Sequence, residues 1–173
     1  LTLTGVNSFS GGTTISSGSL IGNTQSFGTG AIVNNASLVL DQAAAGTLAA
    51  AISGTGALTK SGAGALTLTG INSFTGGTTI SSGTLIGNTQ SFGSGAIVNN
   101  ASLVLNQTTD ASFASVISGT GSLTKSGSGA LTLTGVNSFS GGTTILSGSL
   151  IGNTQSFGTG AIVNNASLVF DQT

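Results

Sequence analysis

The sequence predicts an all-β solenoid, a coil of stacked strands. Three observations predict it. Leu1-Thr2-Leu3-Thr4-Gly5 returns at Leu66 and again at Leu131, a period of 65 residues. Apolar residues alternate with period two, as in Leu66-Thr67-Leu68-Thr69 and Leu103-Val104-Leu105, which is the strand signature. A short pattern of isoleucine, small-residue corner and leucine recurs along the whole chain, first as Ile15-Ser16-Ser17-Gly18-Ser19-Leu20. Self-similarity at a fixed period marks repeat architectures, in which each unit buries its apolar side only against its neighbours. The chain therefore reads as one solenoid segment, residues 1–173, with repeats 1–65, 66–130 and a partial 131–173.

Within a repeat the elements follow in a set order. A phenylalanine position comes first, as in Ser8-Phe9-Ser10, and reads as a strand. The series is Phe9, Phe27, Leu48, Phe74, Phe92, Phe113, Phe139 and Phe157. A bend such as Gly11-Gly12 leads to an isoleucine strand, with the series Ile15, Ile32, Ile52, Ile80, Ile97, Ile117, Ile145 and Ile162. A corner follows, and the residue two before each leucine is always Gly or Ala, because a sharp bend needs little Cβ clash. The leucine strand closes the unit, with Leu20, Leu38, Leu58, Leu85, Leu103, Leu123, Leu150 and Leu168 spaced 18, 20 and 27 residues. Three series marching in step predict three ladders facing one core, about eight rungs with three rungs per repeat. The 27-residue interval carries Ala65-Leu66-Thr67-Leu68, which reads as an added strand with Leu66 and Leu68 facing in. Ala43 to Ala51 reads as loop or strand, since its counterpart Thr108 to Val116 is polar. Asn34, Asn99 and Asn164, or Asn7, Asn72 and Asn137, are candidate asparagine ladders.

Composition narrows the function. Two lysines, three aspartates and no Arg, Glu or His give a formal charge of −1, so nothing argues for nucleic acid or an anionic membrane. Charged residues are 3% of the chain, against roughly 25% in ordinary domains. Like charges stacked at rung spacing repel, which accounts for a surface of Ser, Thr, Asn and Gln. Cysteine is absent, excluding disulfides and thiolate chemistry. No apolar run approaches a membrane helix and no signal peptide is visible; lacking an initiator Met, the sequence reads as part of a longer chain.

The residues match a known pattern. Gly56-Ala57-Leu58-Thr59-Lys60-Ser61-Gly62-Ala63-Gly64-Ala65-Leu66-Thr67-Leu68-Thr69-Gly70, followed by Asn72-Ser73-Phe74-Thr75-Gly76-Gly77-Thr78-Thr79-Ile80, resembles the passenger-associated repeat of bacterial autotransporters. The match recurs at Gly121 to Ile145, and its second half at Leu1 to Ile15. The resemblance implies a right-handed parallel β-helix, displayed outside a Gram-negative cell and followed by an outer-membrane barrel that this sequence does not contain. It implies roles in adhesion, aggregation or biofilm formation, or as a stalk.

No enzyme, cofactor or metal site is expected. Asp41, Lys60, Asp110, Lys125 and Asp171 are the ionisable side chains, and acid–base catalysis needs a pair with tuned pKa values. Three separate aspartates cannot supply the six to eight oxygens of a calcium site. Lys60 and Lys125 read as solvated lysines that keep the rod soluble and discourage lateral sheet pairing. Asn-Ala-Ser at residues 35, 100 and 165 fits the glycosylation triplet but reads as corner chemistry, and the Thr-x-Thr spacing is too sparse for an ice-binding face. Ile21, Val39, Ile86, Val104, Ile151 and Val169, with Thr59 and Thr124, follow the ladder leucines and should point outward, as a β-branched stripe suited to association if left open; the preferred reading is that the added Leu-Thr segment or a loop covers it. The partners expected are further repeats of the same chain or identical chains, and host or bacterial surfaces. The expected function is an extracellular structural rod acting as adhesin or stalk. The alternative is a filament subunit stacking end to end through open strand edges; a third reading, a glycan-binding face, lacks the Trp and Tyr usually used for sugar stacking.

Overall fold

The computed structural model describes residues 1–172, and among them are twenty short strands and no helix. All strand pairs are parallel, and partners lie 18–20 residues apart. Leu20 sits under Leu38, and Leu38 under Leu58. The result is a solenoid of about eight turns. At the usual strand separation of about 4.8 Å it is a rod roughly 38 Å long.

Each turn has three faces. The first carries Thr13–Ile15, Ile32–Asn34 and Ile52–Ser53, and resumes with Ala111–Phe113, Ala130–Leu133, Ser149–Gly152 and Ser167–Phe170. The second carries six paired strands, Ser19–Gly22, Ser37–Asp41, Ala57–Ser61, Thr78–Ile80, Ile97–Asn99 and Ile117–Ser118. The third carries seven, Gly46–Leu48, Ala65–Leu68, Thr84–Gly87, Ser102–Asn106, Ser122–Ser126, Thr143–Ile145 and Ile162–Asn164.

This arrangement corrects the expected ladders. From Leu20 to Leu38 and from Leu38 to Leu58 the chain crosses three faces, one full turn each. From Leu58 to Leu85 it crosses four, because Ala65–Leu68 is a whole face of its own rather than an addition to an existing one. A 65-residue repeat is thus ten faces, or three and a third turns. The partner stacked on Leu58 is Thr78, beside Ile80, and not Leu85. Equivalent residues step one face around the rod per repeat: Leu20 lies on the second face, Leu85 on the third and Leu150 on the first. Phe, Ile and Leu therefore share each ladder, since any of the three fills an inward position of similar depth.

The core is continuous. Phe27, Leu48, Phe74, Phe92, Phe113, Phe139 and Phe157 are buried, as are the isoleucines from Ile15 to Ile145 and the leucines from Leu20 to Leu150. Leu40, Leu66, Leu68, Leu105, Leu131 and Leu133 join them. Phe9, Ile162 and Leu168, in the first and last turns, are only partly covered. Each fully buried side chain of this size contributes about 1.5–3 kcal/mol.

Two further expectations are corrected. The phenylalanines of the predicted series do not sit on regular strands, apart from Phe113 at the end of Ala111–Phe113. Buried side chains replace part of the ladder there. Asn72 Oδ1 accepts from Ile52 N at 2.7 Å below and Nδ2 donates to Ser91 O at 2.6 Å above. Asn137 repeats this with Ile117 N at 2.7 Å and Ser156 O at 2.6 Å. The asparagines consequently do not stack on one another. Copies one repeat apart stand on different faces, and each ties its own turn to its neighbours: Asn34 and Asn99 donate to Ala57 O and Ser122 O at 2.8 Å.

Candidate functional site

The most unusual chemistry is a lysine inside the core. Lys60 belongs to the inward series of Ala57–Ser61, stacked between Leu40 and Ile80. Its relative exposure is 0%, as is that of Lys125. The expected solvated lysines are therefore buried ones. The side chain runs along the ladder and ends at the corner that follows, where Gly62 has φ +77°. Backbone in that conformation turns carbonyls toward the interior. Lys60 Nζ donates to Ser61 O and Gly62 O at 2.7 Å, and to Ser82 O on the next turn at 3.1 Å. Lys125 does the same with Ser126 O, Gly127 O and Ser147 O at 2.7, 2.8 and 3.1 Å.

An ammonium has three protons, and here all three have acceptors. Such pairing is what makes a buried charge tolerable. Burial still pushes both amines below the ordinary lysine value, and for Lys60 the nearby Asp41 charge partly opposes this. Gly83 covers the ammonium from the following turn. It has φ +71°, and a Cβ there would lie 2.5 Å from Gly62 O and 2.6 Å from Gly64 O. The composite is a corner joint: one cation clamps two turns at the point where the extra face enters the repeat. The signal in the sequence was the position of Lys60, two residues after an inward leucine, since period two places it inward as well.

The outward row differs from the expected stripe. Ile21 stacks with Val39 on the second face, Ile86 with Val104 on the third, and Ile151 with Val169 on the first. One long stripe becomes three short pairs, because of the one-face step per repeat. Val169 is exposed and the other five are half-buried. Threonines flank the pairs, as in the third-face row Thr47, Thr67, Ile86, Val104, Thr124, Thr144 and Val163. That row is free of charge and β-branched throughout.

The remaining ionisable groups are dispersed. Asp41 Oδ1 accepts from Ser61 Oγ at 3.2 Å, and Asp110 Oδ1 caps Ala130 N at 2.8 Å. Among the described residues no three His, Cys, Asp or Glu side chains group as a metal site would require. What the arrangement offers chemically is a set of internal clamps and long neutral faces.

Comparison with known proteins agrees. Residues 1–21, 58–86 and 123–151 match the family model described as the passenger-associated-transport-repeat. The adhesin BmaC autotransporter of Brucella suis biovar 1 (strain 1330) is 45% identical over 152 residues, covering 72% of this chain. The chain spans 4% of the length of that relative. No solved structure matches the chain. The second and third matched segments each begin at the leucine preceding a buried lysine, Leu58 and Leu123.

Proposed function

We propose that this chain, which carries the passenger-associated transport repeat of autotransporters, is a rod segment of a cell-surface adhesin and takes part directly in attachment. The observation that carries the reading is the uninterrupted parallel stack: one core runs through all turns, and the faces outside it are neutral, hydroxyl-rich and regular. A structure of this kind projects and repeats a surface. The relative's description as an adhesin supports attachment over a purely mechanical spacer. The role is structural rather than enzymatic, consistent with five dispersed ionisable side chains.

Microbeads coated with the purified chain test this. They should attach to cell monolayers or extracellular matrix more than albumin-coated beads do, with little dependence on salt, since the surface has almost no charge to screen. Attachment no greater than that of albumin would refute an adhesive role.

A further inference from the structure

The corner after strand Ser37–Asp41 holds a cavity of about 510 Å³, open to the outside and within the size range of small-ligand sites. Its inner wall is the Gln42 amide, at 6% relative exposure. Gln42 Oε1 accepts from Thr24 N at 3.1 Å, which fixes the amide plane and aims Nε2 toward the cavity. Nε2 makes no hydrogen bond within the described residues and is not sealed from solvent, since Thr13 Oγ1 is the buried side-chain polar atom left unpaired among them; it is a donor open to the cavity. Asp41 stands at the rim, and the methyl of Ala44 forms part of the wall.

The corresponding corner of the second repeat carries larger side chains. Gln107 keeps the anchor, with Oε1 accepting from Thr89 N at 3.1 Å. Its Nε2 points at Thr109 Oγ1, 3.5 Å away, and Thr109 occupies the position of Ala44. Ala111 stands in place of Gly46, where a Cβ would press on the Gln42 amide. Asn106 stands in place of Asp41. The first repeat thus combines an aimed donor, an acceptor and an apolar wall around a space into which the second repeat places a threonine hydroxyl and an added methyl.

We propose that this cavity binds a neutral sugar residue, whose hydroxyls accept from Gln42 Nε2 and donate to Asp41 while its C–H face lies on Ala44. The Asp41 carboxylate disfavours sulfated, phosphorylated or sialylated ligands, and no cation lines the cavity to offset it. The proposal deepens the attachment reading and names the ligand class for it.

The test is titration of the ¹⁵N-labelled chain with neutral methyl glycosides of glucose, galactose, mannose and N-acetylglucosamine, with N-acetylneuraminic acid and sulfate as anionic controls. At least one neutral glycoside should shift the Gln42 side-chain amide at millimolar concentration, leaving Gln107 unmoved. Ala44→Thr with Gly46→Ala should abolish the shift; both residues occur at these positions in the second repeat, so the variant retains a sequence this fold already accepts. Asp41→Asn should weaken binding several-fold. No shift with any neutral glycoside, equal shifts in the double variant, or equal binding of the anions would each overturn the proposal. Beads that attach although no glycoside moves Gln42 overturn it and leave the attachment reading intact. Beads that fail to attach while glycosides bind overturn the attachment reading alone.

Discussion

Asn72→Ala removes the side chain that stands in for strand pairing between the turns of Ile52 and Ser91. Two bonds are lost, to Ile52 N at 2.7 Å and to Ser91 O at 2.6 Å, and both are buried. Each orphaned buried group costs about 1–3 kcal/mol, so the variant should be destabilised by about 2–5 kcal/mol. In a stack held by neighbour contacts, that loss falls on one joint and should lower cooperativity there. Guanidinium unfolding followed by circular dichroism gives the total. Hydrogen exchange at the Ile52 amide, which loses its acceptor, gives the location. Asn137→Ala is an internal replicate with the same two distances, 2.7 and 2.6 Å, to Ile117 N and Ser156 O. The two losses should agree within about 0.5 kcal/mol and should add. A loss below about 0.5 kcal/mol, with Ile52 as protected as before, would refute the idea that these asparagines hold the rod together.

Alkaline titration addresses the buried lysines with little interference, because no Tyr, Cys, His or Arg side chain accompanies them and the double lysine variant corrects for the α-amino group. Burial lowers both amines in the folded state, so the unfolded chain binds more protons between the folded value and about 10.4. Stability should therefore rise through that window, measured as denaturation midpoint against pH, and Lys60→Met with Lys125→Met should flatten the rise. Gly83→Ala meets both a φ of +71° and the carbonyls that cage Lys60, and should cost about 1–3 kcal/mol in the same unfolding assay. Deleting residues 66–130 removes ten faces and rejoins like sequence to like. The product should fold with the same circular dichroism and be shorter by about 16 Å in small-angle scattering.

Much of this architecture was legible in the sequence. Period-two alternation and the 65-residue repeat gave parallel stacked strands, and the Leu20–Leu38–Leu58 spacing gave their vertical contact. The pitch across the 27-residue interval was not legible, although the Leu66 and Leu68 alternation showed a strand there. Whether that strand widens a turn or advances it depends on how many faces close a turn, and this is a property of the packed stack. Lys60 was misread for a different reason. Its charge suggested solvent while its parity in the strand indicated the core, and the carbonyls that settle the matter come partly from Ser82, a turn away. The Gln42 cavity needed both repeats in three dimensions, since Ala44 and Thr109 look equally unremarkable on the page.

The remainder of one face after three full turns governs how the rod meets the world. A feature carried once per repeat climbs the shaft like the treads of a spiral stair, about 16 Å up and a third of the way round at each tread. No side of the shaft is privileged, so an approaching surface finds a copy whichever way the rod is rotated. A flat surface lying along one side, however, meets that copy only once in three repeats, roughly every 48 Å. Gaining or losing a single repeat re-aims everything beyond it, and only changes in threes leave the orientation as it was.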